Sequence, residues 1–412
     1  MKRVVNNDVV SARPSEDSLS AQVNGFGKWA REEGYAIRSQ RQKVLLAACF
    51  SRWLGQQAIS VSHVSSEHPT LYLRSRARHV KVQRGDAATL RQFLDFLRHK
   101  GVVPAEKIPT PRLTPVDQAV LTFKRYLHDE RILAEASIAH YVPFVRQFLA
   151  DRFGEGPVRL SLMRAGDVVR FVQRQVSRLH LKRANLLTSA LRSFLHYARY
   201  LGQVGCDLAA AVPTVANWSM PSIPRAIPAD AVHRLLSSIN RRTAMGSRDY
   251  AILLLLARLG LRASEVVRLE LEDIDWNAGS IAVQGKGDRR SLLPLPADVG
   301  SAIAAYLRCG RPQSRSRHVF LRIKAPIRGL LGPQAIAYVV RRNLACAGIQ
   351  APTNGAHQFR HALATGMLHE GASLAEIGQV LRHRDPETTK IYAKVDLDSL
   401  KGLALPWPGG AR

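Results

Sequence analysis

The sequence predicts a mainly α-helical protein of several domains that contains one small antiparallel β-meander. Apolar residues recur at spacings of three and four along most of the chain, which is typical of amphipathic helices. Two proline-rich stretches, 103–115 and 213–228, read as linkers, because proline removes a backbone donor and disfavours helix in the residue before it. Three short extended runs separated by turns follow the second linker.

The charge balance indicates a polyanionic partner. The 412 residues include 60 Lys and Arg against 32 Asp and Glu, a formal net charge of +28. A compact protein would repel itself at that charge without an anionic partner. Nucleic acid is the first candidate, because basic side chains that neutralise phosphates release counterions. A membrane surface is the alternative, but we find neither a basic amphipathic helix nor a lipidation motif, so no membrane partner is expected.

Cysteine usage and the first residues indicate a location in the cell. The four cysteines are scattered without a C-x-x-C pair, so we expect buried free thiols rather than a zinc site or a disulfide framework. No apolar segment follows the basic opening residues, which is unlike a signal peptide. The expected location is the cytoplasm, in association with the nucleoid, and no metal or other cofactor is expected.

The linkers divide the chain into four expected parts. These are an N-terminal helical segment (1–105), a second helical segment (114–215), a helical segment that contains the meander (228–400) and a C-terminal tail (401–412). The first two look like divergent copies of one unit, because the block Leu90–Phe96 matches Leu191–Tyr197, with a Gly following each at the same distance. Chance similarity between two four-helix segments is the alternative.

Each copy carries a basic cluster ahead of its last helix. Two clusters at similar places favour a surface that follows phosphates, although each alone could be an ordinary solvated loop. The residues predicted to contact DNA are Arg74, Arg76, Arg78, Lys81, Lys182, Arg183 and Arg192.

The third segment has its own pattern of elements. A helix is predicted from Pro228 to Ile239, and a second from Ser247, as its N-cap, to Leu259, with Gly260 ending it. The predicted strands of the meander are Asp273–Trp276, Ser280–Gln284 and Ser291–Leu295.

Helix caps near the C-terminus place a tyrosine on a short helix, nine residues after His383. Ser373 and Glu376 form a capping-box pattern that begins a helix running to about Leu381. Asp385 and the proline after it begin another short helix, which carries Tyr392. Upstream, His357 and Arg360 are three residues apart and would share a helix face.

Residues of these types suit the cleavage of a phosphodiester. Guanidinium groups match the non-bridging oxygens with bidentate hydrogen bonds, so two arginines can form a clamp without a metal. A Lys or His can protonate the leaving 5′ oxygen. A tyrosine can attack as the nucleophile and store the bond energy in a covalent intermediate.

Five motifs, in this order and spacing, resemble those of the tyrosine recombinases. The intervals fit: 24 residues from Arg262 to Lys286, 26 from His357 to His383, and nine more to Tyr392. The motifs are Gly260-Leu261-Arg262-Ala263-Ser264-Glu265-Val266, Gly285-Lys286-Gly287, His357-x-x-Arg360-His361, Leu381-Arg382-His383 and Thr388-Thr389-Lys390-Ile391-Tyr392.

The resemblance implies an integrase-type catalytic domain (228–400) preceded by a helical, SAM-like core-binding domain that binds DNA (114–215), with 1–105 as an extra N-terminal domain. It also implies six catalytic residues: Arg262, Lys286, His357, Arg360, His383 and the nucleophile Tyr392. The implied partner is double-stranded DNA with specific recombination sites, bound by a homotetramer or a heterotetramer with sister recombinases. The implied reaction is recombination through a 3′-phosphotyrosine and a Holliday junction, for integration or transposition of a mobile element. Relaxation of supercoils, as in type IB topoisomerases, and DNA binding without cleavage are the alternatives.

Three residues beside the implied site need separate interpretation. Arg382 stands where the family usually has Gly, and it would either add a phosphate contact or be a tolerated surface change. Glu265 is expected to orient Arg262 or support the fold. His361 is either a structural neighbour of Arg360 or a catalyst, and the first of these is expected.

Overall fold

The computed structural model describes most of the chain. The described residues are 19–105, 113–215, 226–285, 289–353, 355–383 and 385–395. Lys286 and the tail 401–412 lie outside them. The chain forms two compact units, one of residues 108–222 and one that combines 1–107 with 223–412.

Four helices form the N-terminal part of the combined unit: α1 (Ser20–Glu32), α2 (Ile37–Gln56), α3 (His68–Ala77) and α4 (Asp86–His99). They enclose a core in which Phe26, Phe50 and Phe93 are fully buried. Trp29 and Trp53 are partly buried against this core. The aromatic residues of this part therefore serve its packing.

Four further helices form unit 108–222: α5 (Pro115–Asp129), α6 (Glu135–Phe153), α7 (Ala165–Val176) and α8 (Leu181–Tyr200). Thr114 begins α5 with a capping box, because its hydroxyl accepts from the Asp117 N–H at 3.1 Å while the Asp117 carboxylate accepts from the Thr114 N–H. Phe123, Phe148 and Phe194 are buried at the centre of this unit.

The two four-helix arrangements have the same pattern of helix–helix contacts. In each, the second helix packs on the first, third and fourth, and the fourth helix also packs on the first and third. The ring centroids of Phe26 and Phe93 lie 5.0 Å apart, and those of Phe123 and Phe194 lie 5.3 Å apart. A glycine with a φ of 69° follows the last helix in both. The matched blocks Leu90–Phe96 and Leu191–Tyr197 thus occupy equivalent positions in two similar helical arrangements.

The remaining elements surround a separate core. The helices are α9 (Ala229–Ser237), α10 (Ala244–Leu259), α11 (Ala263–Arg268), α12 (Ala297–Ala305), α13 (Pro333–Cys346), α14 (His357–His369) and α15 (Leu374–Leu381). The strands are β1 (Ile274–Asp275), β2 (Ser280–Gln284) and β3 (Arg290–Pro294). They form one antiparallel sheet in the order β1-β2-β3. The predicted fold class, mainly α with a small meander, is confirmed.

Local capping explains where the predicted boundaries hold and where one is wrong. Helix α10 begins at Ala244, because the Thr243 hydroxyl accepts from the Gly246 N–H at 3.0 Å. The Ser247 hydroxyl instead donates to the Ala244 carbonyl at 3.2 Å, so the prediction of Ser247 as N-cap is wrong. Gly260 ends the helix in the left-handed region as predicted, with a φ of 56°.

The cysteines depart from expectation. Cys206, Cys309 and Cys346 are exposed and Cys49 is only partly buried, although all four are free thiols as expected. The prediction of buried thiols is therefore wrong for three of them, because burial depends on which face of each element packs inward. None of the helices among the described residues combines the length and apolar character needed to cross a bilayer.

Candidate active site

A buried carboxylate orients the first predicted arginine. Arg262 precedes α11, and its backbone N–H donates to Glu265 Oε2 at 2.8 Å. Its guanidinium Nη1 donates to Oε1 of the same side chain at 2.8 Å. Glu265 is 1% exposed, whereas the Arg262 side chain retains 31% exposure. The expectation that Glu265 orients Arg262 is confirmed, and part of the guanidinium stays accessible to a ligand.

The second arginine connects three segments that are distant in sequence. From α14, Arg360 donates through Nη1 to the Gly260 carbonyl at 2.7 Å and through Nη2 to the Leu381 carbonyl. These carbonyls lie two residues before Arg262 and two residues before His383. Burial, together with the nearby guanidinium groups of Arg262 and Arg382, lowers the pKa of Arg360 to about 10. Arg360 therefore remains charged at neutral pH and holds the predicted motifs together.

Gly260 permits this close approach. A Cβ at this position would lie 2.9 Å from Leu381 Cδ2 and 3.0 Å from Leu363 Cδ2, closer than packed carbon atoms tolerate. Its positive φ also disfavours any side chain. Glycine thus both ends α10 and leaves room for the segments that carry Arg360 and His383.

His383 lies near Arg360 and Arg262, and its imidazole is neutral. Its Nδ1 is 2.7 Å from the Thr389 hydroxyl. Burial lowers the pKa of His383 to about 4, with the positive charges of Arg360 and Arg262 adding to the effect. Its ring is parallel to that of Tyr392, with 6.5 Å between centroids. When the Thr389 hydroxyl donates to Nδ1, the proton of the imidazole resides on Nε2, where it can be donated to an anion.

The predicted nucleophile is buried. Tyr392 is 1% exposed and packs with Ala364, Ile377 and Leu381. Its hydroxyl lies 3.0 Å from Nδ1 of His361. Burial raises the pKa of Tyr392, and the nearby charge of Arg360 partly opposes this effect. The interpretation of His361 as only a structural neighbour of Arg360 is therefore incomplete, because this histidine also contacts the hydroxyl of the predicted nucleophile.

The structure brings four of the six predicted catalytic residues into contact or close proximity: Arg262, Arg360, His383 and Tyr392. His357 is exposed at the first position of α14, with its ring centroid 6.4 Å from that of His361. Lys286 is outside the described residues, between β2 and β3. The backbone N–H of Gly285 donates to the Arg289 carbonyl at 2.7 Å, which closes the end of this hairpin.

The residues predicted to contact DNA differ in their surroundings. Arg74, Arg78, Lys81, Lys182 and Arg183 are exposed. Arg76 is partly buried and donates to the Tyr72 hydroxyl at 3.3 Å. Arg192 donates to the carbonyls of Val212 and Pro213 at 3.0 and 3.2 Å, which ties the segment that follows α8 to this helix. This geometry favours a structural role for Arg192.

Arg382 has an unusual backbone and a buried partner. It adopts the left-handed conformation after α15, with φ 56° and ψ 47°, where glycine is favoured. Its Nη2 donates to Glu265 Oε2 at 2.9 Å, and its side chain is 12% exposed. Both oxygens of Glu265 are thus bound by arginines. The ion pair with Glu265 compensates for the backbone strain that glycine would avoid at this position. Arg382 is therefore not a tolerated surface change.

Two substitutions of Arg382 are expected to separate these contributions. Arg382→Ala should lose a charge-assisted hydrogen bond of about 1.5–3 kcal/mol while keeping the backbone strain. Arg382→Gly should lose the same bond but relieve strain of about 1–2 kcal/mol. Thermal melting should therefore rank wild type above Gly and Gly above Ala. A Gly variant more stable than wild type would show that the ion pair contributes no net stability.

Sequence reasoning missed three contacts: Arg382 with Glu265, Thr389 with His383, and His361 with Tyr392. The only sequence signal was position, since Arg382, Thr389 and His361 each lie within a recognised motif. Among the described residues, no three His, Cys, Asp or Glu side chains gather in a way that could hold a metal ion.

Comparison with known proteins shows the family of the chain. The phage integrase family model matches residues 225–398. Tyrosine recombinase XerD of Listeria monocytogenes serotype 4b (strain F2365) is 30% identical over 287 residues, covering 68% of this chain and 95% of that protein. The chain therefore belongs to the tyrosine recombinase/integrase family of site-specific recombinases. Over 412 residues, all of both chains, it is 54% identical to the putative integrase/recombinase y4rA of Sinorhizobium fredii (strain NBRC 101917 / NGR234).

Solved structures share the fold. The site-specific recombinase XerH, bound to palindromic difH substrate in a post-cleavage complex, has a TM-score of 0.56 and 19% identity, covering 76% of this chain and 94% of that one. The Tn1549 transposon integrase in complex with a circular intermediate DNA has a TM-score of 0.51 and 15% identity, covering 68% and 99%.

Proposed function

We propose that this chain is a site-specific DNA recombinase that cleaves and rejoins duplex DNA through a covalent bond to Tyr392, in the integration or transposition of a mobile element. The observation that carries this proposal is the position of Arg360. Its guanidinium binds the carbonyls of Gly260 and Leu381, and its charge acts on both His383 and Tyr392. A cation, a neutral histidine and a phenol thus share one site, together with Arg262.

The two arginines would hold the scissile phosphate. A guanidinium has five N–H donors, and Arg360 uses two of them on carbonyls while Arg262 uses one on Glu265. The remaining donors can bind the non-bridging oxygens, whose negative charge increases during attack. Because these hydrogen bonds fix the guanidinium groups before DNA binds, little reorganisation is needed in the transition state.

Proton transfers would accompany the attack of Tyr392. The reaction forms a bond from the tyrosine oxygen to phosphorus and breaks the bond from phosphorus to the 5′ oxygen, leaving a 3′-phosphotyrosine. By family resemblance, Lys286 protonates the leaving 5′ oxygen and His357 assists proton transfer. Neutral His383, oriented by Thr389, would donate a hydrogen bond to the phosphate.

Strand exchange would follow when the free 5′ hydroxyl of a partner strand attacks the phosphotyrosine. This sequence of steps needs four active sites on two DNA sites and gives a Holliday junction, so we infer a tetramer of this chain or a mixed tetramer with sister recombinases. The transposon integrase among the structural neighbours supports a mobile-element role. Activity on DNA implies a cytoplasmic, nucleoid-associated protein.

Capture of covalent intermediates tests the proposal. Purified protein is incubated with fragmented DNA from the flanks of its own gene, denatured with detergent, and the protein-linked ends are sequenced. We expect recurrent sites, DNA joined through its 3′ phosphate to a peptide containing Tyr392, and free 5′ hydroxyls. Absence of adducts would support DNA binding without cleavage. Relaxation of supercoiled plasmid without preferred sites would support topoisomerase-like activity.

Cleavage is expected to proceed without a divalent cation. Arg262 and Arg360 would provide the charge stabilisation that metal ions give to many phosphoryl-transfer enzymes. The rate of adduct formation in excess EDTA should therefore be nearly the same as the rate in Mg²⁺. A Mg²⁺-dependent nuclease assayed in the same buffers is the control. Loss of adducts that Mg²⁺ alone restores would contradict the proposed clamp.

The N-terminal four-helix arrangement, α1 to α4, is proposed to contact DNA. Its helices pack on one another in the same pattern as those of unit 108–222, and it carries the exposed side chains of Arg78 and Lys81. If both contact phosphates, Arg78→Gln with Lys81→Gln should flatten the slope of log affinity against log salt by about 1.8, since each lost contact changes it by about 0.9. Binding is measured on a half-site, where one protomer binds.

A matched variant controls for net charge. Lys28 and Arg31 are exposed on α1, outside the basic cluster. Lys28→Gln with Arg31→Gln should leave the half-site slope unchanged. An unaltered slope in the Arg78 and Lys81 variant, with cooperativity lost on full sites, would instead identify this part as a protein–protein module.

A further inference from the structure

The hydroxyl of the nucleophile has a histidine partner that the six family catalytic residues do not include. Tyr392 Oη lies 3.0 Å from Nδ1 of His361, and the two rings are 5.7 Å apart between centroids. His361 follows Arg360 on α14, so one helix positions both a clamp residue and the partner of the nucleophile. Tyr392 is buried, which excludes bulk water as a ready acceptor of its proton.

In the resting site Tyr392 carries its proton and His361 is a neutral acceptor. Burial raises the pKa of Tyr392, so the phenol stays protonated at neutral pH. Burial lowers the pKa of His361, and His357 and Arg360 on the same helix add to this effect. A neutral imidazole with its proton on Nε2 has a lone pair on Nδ1, facing the phenol.

The other histidine beside Tyr392 is engaged elsewhere. His383 lies in the turn after α15, with its ring parallel to the phenol ring and its Nδ1 at 2.7 Å from Thr389. The titratable and charged groups that the described contacts place around His361 are His357, Arg360, His383 and Tyr392.

We propose that His361 is a catalytic residue that accepts the phenolic proton of Tyr392 during strand cleavage. The inference rests on the proposed function. The O–H bond of Tyr392 breaks and its proton moves to Nδ1, while the phenolic oxygen bonds to phosphorus and the bond to the 5′ oxygen breaks. The leaving oxygen takes a different proton from its own acid. In rejoining, the 5′ hydroxyl attacks phosphorus and gives its proton to the base form of that acid, while the imidazolium returns its proton to the departing phenolate.

The pH dependence of single-turnover cleavage tests this role. His361→Phe and His361→Asn remove the acceptor, and adduct formation is measured on a nicked suicide substrate from pH 6 to 9. At pH 7 we expect a loss of about 10²–10⁴-fold, the usual contribution of general-base catalysis. The residual rate should rise about tenfold per pH unit, because hydroxide must then remove the proton.

Other outcomes would overturn the proposal. A merely structural role predicts a loss of the same size at every pH, with the wild-type profile retained. A role as a latch that restrains Tyr392 predicts faster cleavage in both variants. His369→Asn, an exposed position on the same helix, should match wild type. DNA affinity and melting temperature are recorded for each variant, and the Asn variant retains the test if the Phe variant does not fold.

A substrate with sulfur in place of the bridging 5′ oxygen identifies which proton is involved. A thiolate leaving group has a pKa of about 8.5 and needs little protonation. This substrate should rescue Lys286→Ala but not His361→Phe. Rescue of His361→Phe would show that His361 acts on the leaving group and not on the proton of Tyr392. Absence of adducts with wild-type protein would reject the proposed function itself, whereas normal cleavage by the His361 variants would reject only this inference.

Discussion

Replacing Tyr392 with Phe is expected to abolish covalent protein–DNA adducts, a loss on the order of 10⁴-fold or more, because no other group replaces a missing nucleophile. DNA affinity should change little, since the ring still packs with Ala364, Ile377 and Leu381. Loss of the hydrogen bond to His361 should cost about 1 kcal/mol of stability. Adducts are measured on suicide substrates by denaturing gel electrophoresis.

A second tyrosine controls for the chemical change. Tyr338 is 56% exposed on α13, and Tyr338→Phe should form adducts at the wild-type rate. Adducts that persist in the Tyr392 variant would show that another residue is the nucleophile, and peptide mapping of the linked DNA would then locate it.

Replacing Arg262 with Lys is expected to slow cleavage by about 10²–10³-fold, the usual effect of removing one preorganised donor from a transition-state site. Lysine keeps the positive charge, but its ammonium cannot bind two phosphate oxygens with a planar fork. It also cannot reproduce the orientation that Glu265 imposes on the guanidinium. DNA affinity should fall much less than the rate, because the loss arises in the transition state.

Single-turnover rates and binding measured on one substrate separate these effects. Arg268 is exposed at the end of α11, the helix that Arg262 precedes, so Arg268→Lys provides a matched exchange that should leave the rate unchanged. An Arg262→Lys variant that cleaves at the wild-type rate would mean that charge alone suffices and that the bidentate clamp is wrong.

Local features of the fold were predictable from sequence, because caps and turns depend on neighbouring residues. The capping box of Ser373 and Glu376 begins α15, and Gly260 ends α10, both as predicted. Strand β2 has the predicted bounds, Ser280–Gln284. The order and spacing of the motifs also indicated the family, and thus the residue types that the site contains.

The sequence by itself determined the class of protein, the elements and the candidate catalytic residues, whereas the tertiary structure decided which side chains meet. Arg382 binds a glutamate 117 positions away, and Arg360 binds the carbonyl of Gly260, 100 positions away. Tyr392 meets His361 across 31 positions. Periodicity and capping act over one or two helical turns. Partners brought together by packing leave no local sequence pattern. The role of Arg382, at a position where glycine is usual, depends on the buried carboxylate of Glu265, which only the tertiary structure brings beside it.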